Sequence, residues 1–202
     1  MISKANKFIV AIGASAGGLK AIQLFFDNTP NDHVTYIILQ HLHPDFKSIM
    51  AEILKRHSKL EIVVAKNGTL IDQNKVYTLP TNMYMTIAGD HLYLKRRNKY
   101  QVYPNQAIDI FLESLADAKG DESIAIILSG MGSDGSKGAT KIKQSGGMVI
   151  VQSVQSCEYC SMPESAIKTG AVDYELAPEE MPATILQHIN KWIKNKEDKN
   201  PQ

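Results

Sequence analysis

Cysteine is almost missing from this chain. Of its 202 residues only Cys157 and Cys160 are cysteines, three positions apart in a Ser/Gln-rich segment, so no disulfide framework can hold the fold. A reducing cytoplasm fits that usage, with the pair expected as two unlinked thiols in a loop. An excess of charge of either sign is missing too. Lys plus Arg number 22 against 21 for Asp plus Glu, so no global field steers the chain toward nucleic acid or an anionic membrane. Any charged partner must be met by a local patch. Long apolar runs are absent as well: no stretch approaches the roughly 20 residues of a membrane span. The polar start Met1 to Lys7 and the short run Phe8 to Ala14, which leads into glycine, are unlike a secretory signal. The expectation is a monomer with no nucleic-acid partner and no membrane insertion.

What is present is enough apolar material, 44% of residues, for one sizeable core. Lys7 to Ala14 (KFIVAIGA) is a continuous apolar run ending at small residues, as in a strand buried on both faces of a parallel sheet. Leu19, Ile22, Leu24, Phe25 and Phe26 then recur at near-helical spacing up to Pro30. The alternation continues with strands at 34–39, 60–64, 124–128, 148–151 and 171–174. Helices are expected at 46–57, 107–118, 135–144 and 178–194, with a short one from Pro163. Strands alternating with helices imply an α/β doubly wound, mostly parallel sheet with helices on both faces. The segments Tyr84 to Ile87 and His91 to Leu94, with period-two patterning around Ala-Gly-Asp, predict an antiparallel β-hairpin at one edge. Residues 1–195 read as a single domain and 196–202 as a polar tail or linker stub.

The sharpest local signal is Gly13-Ala14-Ser15-Ala16-Gly17-Gly18, at the junction of the first strand and first helix. Small neighbours let the backbone turn tightly and lift the Ser15 hydroxyl above the carboxyl edge of the sheet, where ligands collect in open α/β folds. Three readings are open for this turn: a nucleophile, a dinucleotide-binding turn, and glycines that only permit close helix–strand packing. Against the dinucleotide, the second strand ends in Gln40-His41 where a ribose contact is expected. Moreover, none of the eight tyrosines has a lysine four residues later, as short-chain dehydrogenases would require.

A serine needs a base to take its proton, and the base needs an orienting acid. His41 follows the strand 34–39, at the carboxyl edge beside the first strand. Asp134 lies in Ser129-Gly130-Met131-Gly132-Ser133-Asp134-Gly135, just after the strand 124–128. All three candidates therefore emerge on one edge, and two of them sit in glycine-rich turns.

GASAGG, Gln40-His41-Leu42 and SGMGSDG together resemble the chemotaxis protein-glutamate methylesterases, the CheB family, most closely the catalytic domain fused to a CheR-type methyltransferase. The likeness runs from about Phe8 to His188. It includes Pro44-Asp45-Phe46-Lys47-Ser48, Ile108-Asp109-Ile110-Phe111, Met162-Pro163-Glu164-Ser165-Ala166 and Pro178-Glu179-Glu180-Met181-Pro182. The resemblance implies a serine hydrolase, without cofactor or metal, that demethylates glutamyl methyl esters and deamidates glutamines on the cytoplasmic helices of methyl-accepting chemoreceptors. It implies Ser15 as nucleophile, His41 as base, Asp134 as orienting acid and the Met131 N–H as an oxyanion donor. The Ala16 N–H is a second donor by analogy with residues that follow other nucleophiles. Many members carry a phospho-acceptor receiver domain before the catalytic one; this chain starts almost at the first catalytic strand, so no phosphorylation switch of its own is expected. Ala16 stands where the regulated enzymes have threonine.

Several features offer rival chemistry. His41-Leu42-His43-Pro44-Asp45 begins a His-x-His-x-Asp metal string, but Phe46 follows where another histidine is needed. Cys157-Glu158-Tyr159-Cys160 lacks the second cysteine pair of a zinc site. Lys95, Arg96, Arg97 and Lys99 form a dense basic cluster that reads first as a guarded sheet edge and second as a surface steering the domain toward an acidic helix. A non-catalytic adaptor that binds receptor helices is the alternative of a different class.

Overall fold

The computed structural model describes residues 8–40, 49–98 and 105–199. The chain begins with β1 (Ile9–Ala14), α1 (Gly18–Asp27), β2 (Thr35–Gln40), α2 (Ile49–His57) and β3 (Glu61–Val64). It continues through β4 (Thr69–Leu70), β5 (Lys75–Thr78), β6 (Met83–Ala88), β7 (His91–Arg96) and α3 (Ala107–Lys119). After a short 3-10 turn come β8 (Ser123–Ile127), α4 (Ser136–Gln144), β9 (Met148–Gln152), α5 (Ser161–Ile167), β10 (Tyr174–Leu176) and α6 (Met181–Lys199).

Seven strands form one parallel sheet in the order β10-β9-β8-β1-β2-β5-β3. Residues alternate between its two faces as a pleated strand requires. From β1, Ile9 and Ala11 join Phe111, Leu112 and Leu115 of α3 and Ala139 and Ile142 of α4 on one face. Val10 and Ile12 join Ile22, Phe25 and Phe26 of α1 and Ile185 and Ile189 of α6 on the other. Both sides of β1 are thereby dry, which is why its sequence carries no polar alternation. The chain leaves β1 through α1 to β2 on one side and returns through α3 to β8 on the other. That reversal opens a crevice at the carboxyl ends of β1 and β8, the place where doubly wound folds hold ligands.

The expected hairpin is present as β6 and β7 and gains a third strand, β4. It forms a small antiparallel sheet of its own, with Met85, Ile87 and Leu92 buried in the α3-side core and the Ile87 N–H bonded to Ser114 Oγ of α3 (3.1 Å). Lys95 and Arg96 are exposed where β7 outruns β4, and the Arg97 guanidinium lies over the Tyr84 ring. Two strands had no counterpart in the sequence reading. β5 lies between β2 and β3, so those two do not pair directly. The last strand also starts later than expected, at Tyr174. Asp173 accounts for the delay: its carboxylate takes the Val149 N–H (2.9 Å), and ladder pairing begins only with Tyr174 against Ile150.

Helix α3 is anchored by Phe111, which is fully buried between the sheet and the small β-layer. Phe111→Ala is expected to lower unfolding free energy by about 3–5 kcal/mol, read as an earlier midpoint in urea denaturation.

Candidate active site

The turn after β1 is fixed at its backbone. The Ser15 N–H donates to Ser129 O (3.0 Å) and the Gly18 N–H to Ser15 O (3.0 Å), so Ser15 is held between a strand end and the start of α1. Gly17 caps that helix in the left-handed region at φ +71°. A side chain there would be strained, and its Cβ would lie 2.8 Å from Ser129 Oγ and from Glu158 Cβ.

On the neighbouring strand, the loop after β8 is held by Ser129 and Tyr159. Ser129 is buried and makes three bonds with two groups: its N–H donates to Gln152 Oε1 (2.8 Å), and its Oγ donates to Ala16 O (2.9 Å) and accepts the Tyr159 N–H (3.0 Å). Gln152 is in turn tied to Ser156 O (2.9 Å). The Gly130 N–H donates to Tyr159 O (2.8 Å) and the Gly132 N–H to Ser161 Oγ (3.1 Å). The N–H of Met131, between them, has no hydrogen-bond partner among the described residues, and its side chain is 64% exposed. A rigid turn whose Met131 N–H has no partner among the described residues can bind a developing oxyanion.

Asp134 follows in the same loop and is buried at 9% exposure. Its carboxylate accepts the N–H groups of Ile108 (3.0 Å, Oδ2) and Asp109 (2.9 Å, Oδ1) at the first turn of α3. Two backbone N–H bonds at the opening turn of α3 hold the carboxylate in this orientation. Asp109 makes the reciprocal contact: its Oδ1 accepts Gly135 N–H and Gly138 N–H at the start of α4, both at 2.9 Å. Burial raises the Asp109 pKa, the Gly138 N–H bond opposes that rise, and the nearby Asp134 charge adds to it.

Cys157 and Cys160 correct the sequence reading: they are joined in a disulfide, not two unlinked thiols. Their Cα atoms are 5.5 Å apart, within the span a disulfide bridges, which the three-residue spacing allows without foretelling. The crosslinked loop carries Tyr159, whose backbone holds Ser129 and Gly130, and Glu158, which packs against Gly17.

Comparison with known proteins bears on this arrangement directly. Residues 10–185 match the family CheB methylesterase. The chain belongs to the CheB methylesterase family. The protein-glutamate methylesterase/protein-glutamine glutaminase of Thermotoga maritima is 32% identical over 187 residues, which cover 90% of this chain and 54% of that protein. A second protein of that name, from Pseudomonas aeruginosa, is 32% identical over 182 residues, covering 89% of this chain and 52% of its own length. The chain thus spans about half the length of these curated relatives. The crystal structure of the Thermotoga maritima CheB methylesterase catalytic domain superposes with a TM-score of 0.82 at 29% identity, covering 92% of this chain and 99% of that one. The small antiparallel sheet and the seven-stranded parallel sheet are the architecture of a CheB methylesterase catalytic domain.

Of the residues singled out from sequence, Ser15, Ala16, Met131 and Asp134 lie together at the carboxyl ends of β1 and β8. His41 lies outside the described residues, as do His43 and Asp45. The residue before it, Gln40, pairs with Ala14 and ends β2 on the same edge. Among the described residues no group of three or more His, Cys, Asp or Glu is positioned to hold a metal ion. Two contributors escaped the sequence reading, Ser129 as the tie between both turns and Asp109 as the residue gripping the Asp134 loop. Nothing in sequence distinguishes Ser129 from the other loop serines.

Gly130 is the tightest glycine of the chain. A Cβ there would fall onto Met162 Sδ and lie 3.0 Å from the Ser15 Cβ. Gly130→Ala should therefore lower kcat by about 100-fold through displacement of the Ser15 turn. Equilibrium unfolding should register a loss of about 1–3 kcal/mol.

Proposed function

We propose that the chain is the catalytic domain of a protein-glutamate methylesterase, a serine hydrolase acting on glutamyl methyl esters of chemoreceptor cytoplasmic helices in chemotactic adaptation. The observation that supports this reading is that Ser15, the Met131 N–H, unpartnered among the described residues, and the helix-held Asp134 carboxylate follow the paired strands β1 and β8 at one sheet edge, in a chain of the CheB methylesterase family. His41 is the base: it takes the Ser15 proton as Oγ attacks the ester carbonyl, and Asp134 stabilises the resulting imidazolium. The tetrahedral oxyanion is held by the backbone N–H groups of Met131 and Ala16. The imidazolium then protonates the departing methoxide, methanol leaves, and His41 activates a water that hydrolyses the acyl-enzyme to free glutamate. The same steps with an amide release ammonia, which is glutamine deamidation, the second activity in the relatives' name.

The reading extends to a cytoplasmic setting, a monomeric catalytic unit spanning residues 1–195 and, as further partner, a CheR-type methyltransferase domain. No described helix is long and apolar enough to cross a membrane.

The test is methanol release from methylated receptor fragments. Ser15→Ala should lower kcat by about 10⁴-fold or more while circular dichroism and thermal midpoint stay at wild-type values. Wild-type turnover by Ser15→Ala would remove Ser15 as the nucleophile, whereas no methanol release by the wild-type chain would leave a receptor-binding adaptor as the better account.

A further inference from the structure

Asp109 and Asp134 interlock in a way that ordinary helix capping does not call for. A capping carboxylate in the first turn normally serves its own helix. Here each serves the other's: Asp134 bonds the Ile108 and Asp109 N–H groups that open α3, and Asp109, within α3, bonds the Gly135 and Gly138 N–H groups that open α4. Asp109 therefore bears on Asp134 by two routes, one direct and one through its neighbour Gly135. Its own N–H is one of the two donors on the Asp134 carboxylate, and its side chain holds Gly135, the next residue along the chain. It is buried, at 6% exposure.

We infer that Asp109 is a positioning residue for hydrolysis, fixing the place and orientation of the Asp134 carboxylate through the Gly135 N–H and its own N–H. The inference rests on the proposed role of Asp134 as the acid that orients the base. Asp109 does not meet substrate. Its effect passes through Asp134, the residue before Gly135, whose N–H its side chain holds. A neutral or truncated side chain leaves the two N–H groups of α4 without their charge-assisted acceptor, and the loop relaxes away from α3.

The experiment is a double-mutant cycle on methanol release. Asp109→Ala should lower kcat about 10- to 100-fold with KM within about twofold, because a displacement of about an ångström at the acid carries a loss of that order. Asp109→Asn, which keeps an acceptor oxygen but not its charge, should lose about threefold. Combined with Asp134→Ala, either change should have no further effect beyond about twofold, since a residue that acts only through Asp134 has nothing left to position.

A merely structural role gives a different pattern. Thermal midpoints fall, the kcat of the folded fraction stays at wild-type values, and whatever loss there is recurs in the Asp134→Ala background. That pattern, or a wild-type kcat in both Asp109 variants, overturns the inference. Should Asp109→Ala fail to fold, the cycle with Asp109→Asn decides alone: a threefold loss that vanishes beside Asp134→Ala supports the role, and no loss or an additive loss refutes it. Ser15→Ala run in parallel separates the two levels. If it keeps wild-type turnover the triad itself fails and the Asp109 role falls with it. If it is inactive while the cycle is additive, only the Asp109 role is lost.

Discussion

The backbone ladder between β1 and β8 does not stop where the strands stop. Gly13 pairs with Ile127, the Leu128 N–H donates to Gly13 O (2.9 Å), and the Ser15 N–H donates to Ser129 O (3.0 Å). The two turns that follow these strands are thus bonded to each other before any side chain is considered. Ser15 on one turn, and the Met131 N–H and Asp134 on the other, take their places from that register. A parallel pair with both faces buried cannot slip, because a one-residue shift would send Ile9 and Ala11 to the wrong core. The constraint that makes the crevice rigid is the same hydrophobic patterning that makes the fold.

Side chains then add a second layer that is mostly electrostatic. Asp134 and Asp109 are two buried carboxylates in a small volume, a combination that in isolation would be unfavourable. Helix N-termini resolve it. Each carboxylate receives two backbone N–H bonds from the opening turn of a helix, so the negative charges are met by fixed dipoles in place of cations. Each carboxylate held by two such donors has a fixed orientation without a cation beside it. The disulfide-bearing loop adds a third tie, since Tyr159 bridges Ser129 and Gly130 from the far side.

Much of this was legible in the sequence, for reasons that particular residues make plain. β1, β2, β8 and β9 are unbroken apolar runs, and the GASAGG turn announces itself by its small residues. Ser15 and Asp134 follow such runs, so their common edge could be read from topology alone. β5 could not: four residues, Lys75–Thr78, between polar flanks carry too little pattern, and their place between β2 and β3 depends on long-range pairing. Asp109 reads locally as an acidic residue in the first turn of its own helix, and its reach to α4 exists only once α3 and α4 are packed side by side. The ties through Tyr159 are backbone bonds, which leave no mark on residue type. The bond between Cys157 and Cys160 depends on the proximity of the two side chains, which residue type and compartment do not set.

The central claim is that Ser15, seated on this locked turn, is an activated nucleophile. The most direct measurement is covalent labelling with phenylmethanesulfonyl fluoride followed by peptide mapping by mass spectrometry. The account predicts a single sulfonyl adduct on the peptide containing Ser15, rising in step with the loss of methanol-releasing activity. Complete inactivation with the adduct on another residue, or full modification of Ser15 with activity intact, would contradict it.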